Sequence, residues 1–562
     1  MSKNISKERR EKLLVNIEEL RNHLKNTNAS SEMTAYLTEI EAELKRQKFG
    51  LIFEEHKEEI DNRLETDTPV LTEETDLFID NGGQLNFIIE GDNLASLALL
   101  EKTHKEKIDV IYIDPPYNTG AEDWKYDNNF VDKNDLFRHS KWLSMMSKRI
   151  EIAKRLLAPN GVLICAIDEN EQATLSLLIE QIFGQAYSKD CITIVHNPRG
   201  VQGKNFSYIH EYAIFIYKTG QSIIGKRKID PEKIKWSPLR NWGGESLRTD
   251  AKNCFYPIIV EKGIIVGFGD VVFDLNIHPQ RNEKHGDSIW VYPIDKEGVE
   301  RKWRYARQSV EDIKDNLRAK KKAKGYEIEL GKETESNKTV WTDEKYDANQ
   351  YGTQMVNDLV AGNTFNFPKS LWNTYDCLYA IVGDKSNAVI LDFFAGSGTT
   401  GHAVMEMNKD GGKRRFILCT NNENNICKDV TYQRIKTVIT GKRKDGSEYG
   451  KSIEASLKYQ KIEFVPTAEK TYYDYAEELL RHVKELVELE NAVNFEGNSD
   501  LEILLTESEV EKTFDQKDRL IQIKTIYLGH DVSLNLAQQI FLQSNRIAVN
   551  IIPEYYYKEK QI

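Results

Sequence analysis

The stretch I-D-V-I-Y-I-D-P-P-Y, Ile108 to Tyr117, decides how this chain must fold. Its first six residues are an apolar run of the kind that forms a buried strand. The strand must stop at Pro115-Pro116, because proline has no N–H to donate and a fixed φ. The turn therefore holds Asp114 and Tyr117 rigidly at the strand's carboxyl end, which is where ligands sit in open α/β sheets. An acid there can accept a hydrogen bond from an exocyclic amino group, and the Pro115 carbonyl can accept a second. Tyr117 can stack on a flat ring, a contact worth roughly 1–3 kcal/mol. Together the parts suit a nucleobase amine extruded from its stack. The plainer reading is a strand closed by a Pro-Pro turn with an incidental acid.

A second stretch discriminates. Asp392-Phe393-Phe394-Ala395-Gly396-Ser397-Gly398-Thr399-Thr400 follows the apolar run Ala388 to Leu391 and precedes a helical pattern from Thr400 to Asn408. Glycines at a strand-to-helix turn let the backbone approach a ligand closely. The pair D-P-P-Y plus F-x-G-x-G-T-T resembles the S-adenosylmethionine-dependent amino-methyltransferases of DNA, the first stretch as motif IV and the second as motif I. Motif IV comes first here, as in the permuted β-class order. D-P-P-Y in this class usually goes with adenine. The resemblance implies an α/β, Rossmann-like class I methyltransferase fold with a mostly parallel seven-stranded sheet, an inserted target-recognition domain and added terminal segments. It makes Asp114, Pro115, Pro116 and Tyr117 the catalytic corner. It makes S-adenosyl-L-methionine the cofactor, facing Asp392, Phe394, Gly396, Gly398 and Thr399.

Composition bounds the rest. The chain has 562 residues, room for two to four domains, and is 40% hydrophobic and 30% charged, as soluble globular proteins are. No run of 18 apolar residues and no signal-peptide pattern is visible, so a cytoplasmic protein without membrane association is expected. The six cysteines include no C-x-x-C pair, which argues against a disulfide framework or a zinc site. The net charge of −12 is awkward for a DNA binder. However, residues 221–330 hold 22 Lys and Arg against 17 Asp and Glu. A basic island in an acidic chain fits a nucleic-acid footprint, and also an ordinary solvated surface.

Five segments follow in order. Residues 1–50 form a helical arm, with Leu13, Leu14, Ile17, Leu20 and Leu24 recurring at helical spacing, then Met33, Tyr36, Leu37, Ile40 and Leu44. The arm suits a dimerisation hairpin, a docking arm or a cap. Residues 51–220 carry the D-P-P-Y side of the core. There Asp92 follows the strand Leu85 to Gly91. It reads as a helix N-cap, and in the resembled class the acid at this place contacts the cofactor's adenine. Asn118 opens a polar loop beside the corner. Within Pro198 to Tyr212 the H-E-Y of His210-Glu211-Tyr212 resembles motif VIII. Phe206, Tyr208 and Tyr212 are equally placed to stack on a flipped base, and Arg199 and Lys204 to meet phosphates.

Residues 221–345 break the strand–helix rhythm and interleave cations with aromatics: Arg240-Asn241-Trp242, Arg248, and Arg301-Lys302-Trp303-Arg304. By its place in the β-class order this is the target-recognition domain, with Arg240, Arg248, Arg301 and Arg304 as DNA contacts. An inserted domain with structural aromatics is the competing reading. Residues 346–460 return to the core. Phe365 to Lys369 resembles motif X, which places Phe367 and Lys369 at the methionine end of the cofactor. After the strand Arg414 to Thr420, Asn421, Asn422 and Glu423 are candidates for the ribose hydroxyls. Residues 461–562 form a C-terminal domain with an amphipathic helix from Tyr475 to Leu489.

The wider arrangement resembles the modification (Mod) subunit of Type III restriction-modification systems. That resemblance implies a homodimer on double-stranded DNA with an ATP-dependent restriction (Res) subunit as partner. No metal is required. The rivals are a stand-alone or phage adenine methyltransferase, an enzyme acting on RNA or a protein amide, a nucleotide-binding dehydrogenase and a non-catalytic DNA-binding module. The first βα turn has no G-x-G-x-x-G, which counts against the dehydrogenase.

Overall fold

The computed structural model describes residues 5–26, 31–45, 53–126, 129–132, 134–200, 205–229, 231–363, 365–466, 479, 481–495, 498, 500–529 and 532–552. The chain divides into two compact units. One comprises residues 1–221, 339–378 and 385–562, and the other residues 222–338 with 379–384.

The first unit is built on one sheet of ten strands. In chain order these are β1 (Asp67–Glu73), β2 (Leu85–Glu90), β3 (Ile108–Ile113), β4 (Leu157–Ile167), β5 (Tyr187–Val195), β6 (His210–Lys218), β7 (Val340–Trp341), β8 (Val389–Asp392), β9 (Arg415–Thr420) and β10 (Ser456–Pro466). Their order across the sheet is β1-β10-β2-β9-β8-β3-β4-β6-β5-β7. The seven strands β2-β9-β8-β3-β4-β6-β5 form the doubly wound core. Within it only β6 runs against its neighbours β4 and β5. The motif order in the sequence becomes a fact of topology here. The glycine strand β8 enters late in the chain yet pairs directly with β3, Ile390 opposite Val110 and Leu391 opposite Ile111.

The strands are parallel where helices cover both faces, so they read as unbroken apolar runs. Ile108, Val110, Ile111 and Ile113 are fully buried. The exception, Asp109, accepts from the Val389 amide at 2.9 Å and the Lys385 ammonium at 2.5 Å, pinning β3 to β8. Helix Arg138–Leu156 buries Trp142, Met146, Ile150 and Ala153 against the sheet. The Trp142 indole donates to the Pro116 carbonyl at 2.7 Å, so this helix also clamps the Pro-Pro turn. The N-terminal arm is helical over Ile5–Asn26 and Ser31–Lys45. β10 pairs with β2 as far as Lys461 and with β1 as far as Pro466, so the main sheet runs across the expected boundary at 461. Beyond it lies a three-stranded parallel sheet, Leu501–Leu504, Thr525–Leu528 and Ala548–Ile551. The expected helix from Tyr475 is seen as Val483–Asn491; residues 475–478 and 480 lie outside the described residues.

The second unit is mainly β. Three strands (Trp236–Pro238, Gly325–Gly331, Leu317–Lys322) and four strands (Ile264–Phe268, Ile258–Glu261, Ser288–Val291, Asn282–His285) form its sheets. Its core gathers Leu239, Tyr256, Ile258, Val260, Trp303 and Ile328. Trp303 is thus a core residue, its indole donating to the Tyr256 carbonyl at 2.8 Å. Among the described residues no helix is long and apolar enough to cross a membrane. Among them, too, no cluster of His, Cys, Asp and Glu is placed to hold a metal ion.

Candidate active site

β8 leads on to β9 on one side, and β3 to β4 on the other. The strand order therefore reverses between β8 and β3, which opens a crevice at their carboxyl ends. A cavity of about 600 Å³ occupies it. Asp114 and Pro116 enter it from the end of β3, Phe393, Phe394 and Gly396 from β8, Thr420 and Asn421 from β9, and Asp92 and Asn93 from β2. The two motifs that lie far apart in sequence thus share one cavity.

The glycine turn is shaped by backbone demands. Gly396 has φ +47, and a Cβ there would lie 3.0 Å from the Phe365 ring. Gly398, with φ +77, caps helix Thr399–Met407. Asp392 is buried behind the turn, accepting from the Phe394 amide at 3.0 Å and the Thr400 hydroxyl at 2.5 Å. Burial pushes its carboxyl up to about 7. Thr399 is buried too, its hydroxyl accepting from the Arg434 guanidinium at 2.7 Å. Asp392, Gly398 and Thr399 therefore build the turn, while Phe394 and Gly396 face the cavity.

On the β2 side, Asp92 caps helix Asn93–His104 by accepting from the Leu94 amide at 2.7 Å, and its side chain also lines the cavity. The buried Arg149 organises this wall. It donates to Asn93 Oδ1 at 2.5 Å and to both Glu58 oxygens at 2.7 and 3.1 Å, and stands 3.7 Å from Asp92. Burial works against its charge, but Asp92 and Glu58 more than offset that and hold its pKa up. Arg149 and Glu58 escaped sequence reading. A Lys-Arg pair on an amphipathic helix looks solvated, and nothing local shows that it points inward.

Behind Asp114 lies a second, buried polar group. The Lys369 ammonium donates to the Tyr117 hydroxyl and to Glu211, and stands 3.3 Å from Asp114 Oδ1. Tyr117 donates to Glu211 at 3.2 Å, and Asn373 donates to the other Glu211 oxygen at 2.7 Å. Burial raises the Asp114 carboxyl above its ordinary range, against the pull of Lys369. Burial also opposes ionisation of Glu211, yet Lys369 holds it below the usual value.

Several expected roles change. Lys369 is among the catalytic-corner residues and does not line the cavity. Phe367 is 91% exposed at φ +55, away from the cavity wall. Asn421 lines the cavity, whereas Asn422 accepts from the Lys428 amide at 3.2 Å and shapes the turn. Asn118 is fully buried and donates to Glu171 at 2.5 Å, so it props the loop and cannot reach DNA. His139 joins the same carboxylate at 2.6 Å.

Among the stacking candidates, Tyr212 packs toward the core from β6, while Phe206 and Tyr208 are exposed at 85% and 50%. Arg199 is exposed; Lys204 lies outside the described residues. In the second unit Arg240 and Arg248 are buried. Arg240 donates to the Ile294 carbonyl at 2.6 Å, and Arg248 to the carbonyls of Val272, Asp274 and Ile277, each at 2.8 Å. Arg301 is tied to Asp295 at 2.9 Å and Ser246 at 2.8 Å. These three hold the unit together, because a buried carbonyl without a donor is costly. Arg304 remains exposed.

Comparison with known proteins identifies the chain's relatives. A family model described as DNA methylase matches residues 108–432. The Type II methyltransferase M.KpnI of Klebsiella pneumoniae is 30% identical over 390 residues, covering 67% of this chain and 90% of that protein. The EcoPI Mod subunit of Escherichia phage P1, described as part of a Type III restriction-modification enzyme, is 29% identical over 393 residues. That match covers 61% of this chain and 58% of the subunit. The crystal structure of an M1.HpyAVI–SAM complex is 14% identical, covers 63% of this chain and 98% of its own, and has a TM-score of 0.29.

Proposed function

The chain belongs to the DNA methylase family whose model spans residues 108–432, and from that premise we propose its reaction in detail. It transfers a methyl group from S-adenosyl-L-methionine to the N6 amine of an adenine flipped out of duplex DNA. The observation that carries this reading is the meeting of Asp114 and the Gly396 turn in one cavity at the switch point of the sheet.

The residues present fit the cofactor. Glu58, Glu59, Asp92 and Glu423 outnumber Arg63 and Arg149 in the rest of the cavity wall, a net acidic lining suited to a ligand with a sulfonium and an ammonium. Phe365, Phe393 and Phe394 supply flat apolar surface, and Gly396 lets backbone approach. Asp92, held by the Leu94 amide and beside Arg149, would accept from an adenine amino group; Asn421 would meet the ribose. When bound, the cofactor supplies an activated methyl group on a good leaving group. The chain's own part is to bind and orient. Asp114 and the Pro115 carbonyl accept from the target amine, localise its lone pair and stabilise the charge that develops on it. Holding the reacting atoms about 3–3.5 Å apart supplies several kcal/mol more. Asp114 or water then takes the amine proton.

Site reading is assigned to residues 222–338 and to Arg199, Phe206 and Tyr208. Similarity to the EcoPI, StyLTI and EcoP15I Mod subunits supports a modification subunit of a Type III restriction-modification enzyme; a homodimer and a Res partner belong to the same proposal. The match to M.KpnI over 90% of its length favours a second reading, a methyltransferase acting without a restriction partner. The test is methyl transfer from labelled cofactor to mixed-sequence duplex DNA, followed by modification-sensitive sequencing. N6-methyladenine at one short motif is the expected result. Label on cytosine, or on RNA or protein in preference to DNA, would replace this reading.

A further inference from the structure

We propose that Lys369 and Glu211 are positioning residues for methyl transfer: one buried ammonium bridges the buried Glu211 carboxylate and the half-buried Asp114 carboxylate, so that Asp114 faces the cavity ionised and Tyr117 keeps a fixed ring orientation. The proposal rests on the methyl-transfer reading and deepens it.

Geometry carries the argument. The Lys369 side chain is 10% exposed and that of Glu211 only 3%. The ammonium reaches Glu211 and the Tyr117 hydroxyl, lies 3.3 Å from Asp114 Oδ1, and sits 4.5 Å from the centre of the Tyr117 ring. Glu211 is anchored from behind by Asn373, four residues after Lys369. Two carboxylates that share one ammonium, one of them buried, oppose each other's ionisation when that cation is removed. With Lys369 in place the trio carries one net negative charge, the sign that a developing ammonium on the target amine needs. Without it, one of the two acids takes a proton. If that acid is Asp114, half of its accepting capacity is lost at the atom that faces the substrate. Tyr117 would lose its hydroxyl anchor at the same time.

Other titratable groups face this cluster. Tyr112 and Tyr117 lie beside Asp114, and Asp392 feels its charge. His196 and Cys377 face Glu211 and Lys369, and Asp168 feels Lys369. None of them places a cation between the two acids, so the burden falls on Lys369.

The test is the pH profile of single-turnover methyl transfer in the full chain bound to DNA. The wild-type protein must first transfer methyl groups; if it does not, the functional reading itself fails. Given transfer, Lys369→Met is expected to move the acid limb up by about one to three pH units, the usual reach of a neighbouring charge. Glu211→Gln is expected to move it down, because it removes the like charge. The double variant, which removes one charge of each sign, should bring the limb back toward wild type. Uniform loss of rate with an unmoved limb in all three would overturn the proposal and leave these residues a structural role. If Lys369→Met does not fold, Glu211→Gln decides alone: an unmoved or raised limb overturns it.

Discussion

At the residue scale, Asp114 lines the cavity and stands 3.3 Å from the Lys369 ammonium, and the proposed reaction sets its task. It must stay an acceptor while desolvated. Because burial holds its carboxyl above the ordinary range, transfer should fail on the acid side at a pH above that of a free aspartate. Asp114→Ala removes the acceptor, and loss of one such electrostatic contact costs about 10²–10³-fold or more in rate. Cofactor affinity, measured by calorimetry, should stay within a few-fold, since the Asp92 and Gly396 walls are untouched. Arg149 makes the opposite case. Among the described residues, Arg149→Met leaves Glu58 with only the Lys148 ammonium at 3.8 Å, a loss of up to about 3–5 kcal/mol, the cost of breaking a buried pair. Urea denaturation should show that loss, and cofactor binding should weaken with it because Asn93 and Asp92 lose their support.

At the element scale, the glycine turn between β8 and its helix sets how close a ligand can come. Gly396→Ala forces a side chain into φ +47 and toward the Phe365 ring. Such strain costs on the order of 1–3 kcal/mol, which calorimetry should register as weaker cofactor binding with little change in the DNA-binding constant. This turn and the D-P-P-Y corner were legible in sequence because each joins a buried strand to residues with backbone constraints. β2, β3, β8 and β9 emerge where the apolar runs placed them, to within a residue. What the sequence hid was the direction of long polar side chains. Lys369, Arg149 and Asn118 carry no local signal of where their side chains point. Only the fold turns them inward, onto Glu211, Glu58 and Glu171. The same limit explains Arg240 and Arg248: periodicity says nothing about which cation serves a carbonyl and which serves solvent.

At the scale of the whole molecule, an acidic chain must still meet a polyanion, so where the exposed cations lie matters more than the total charge. Arg304→Ala should weaken DNA binding about equally across sequences and reduce the salt slope of log K by about one phosphate contact. Arg248→Ala should instead lower the thermal midpoint by unpinning Val272, Asp274 and Ile277. Fluorescence anisotropy across a salt series, with a melt of each variant, separates the two. The sheet topology brings the two motifs together, and the chemistry is assigned to that meeting point. The most direct test pairs the wild-type protein with Asp114→Ala, measuring cofactor binding and single-turnover methyl transfer to duplex DNA on the same preparations. Transfer by the wild type, with the variant binding cofactor normally and transferring nothing above 1% of that rate, is the predicted result. Full transfer by Asp114→Ala, or normal cofactor binding with no transfer to DNA by the wild type, would contradict it.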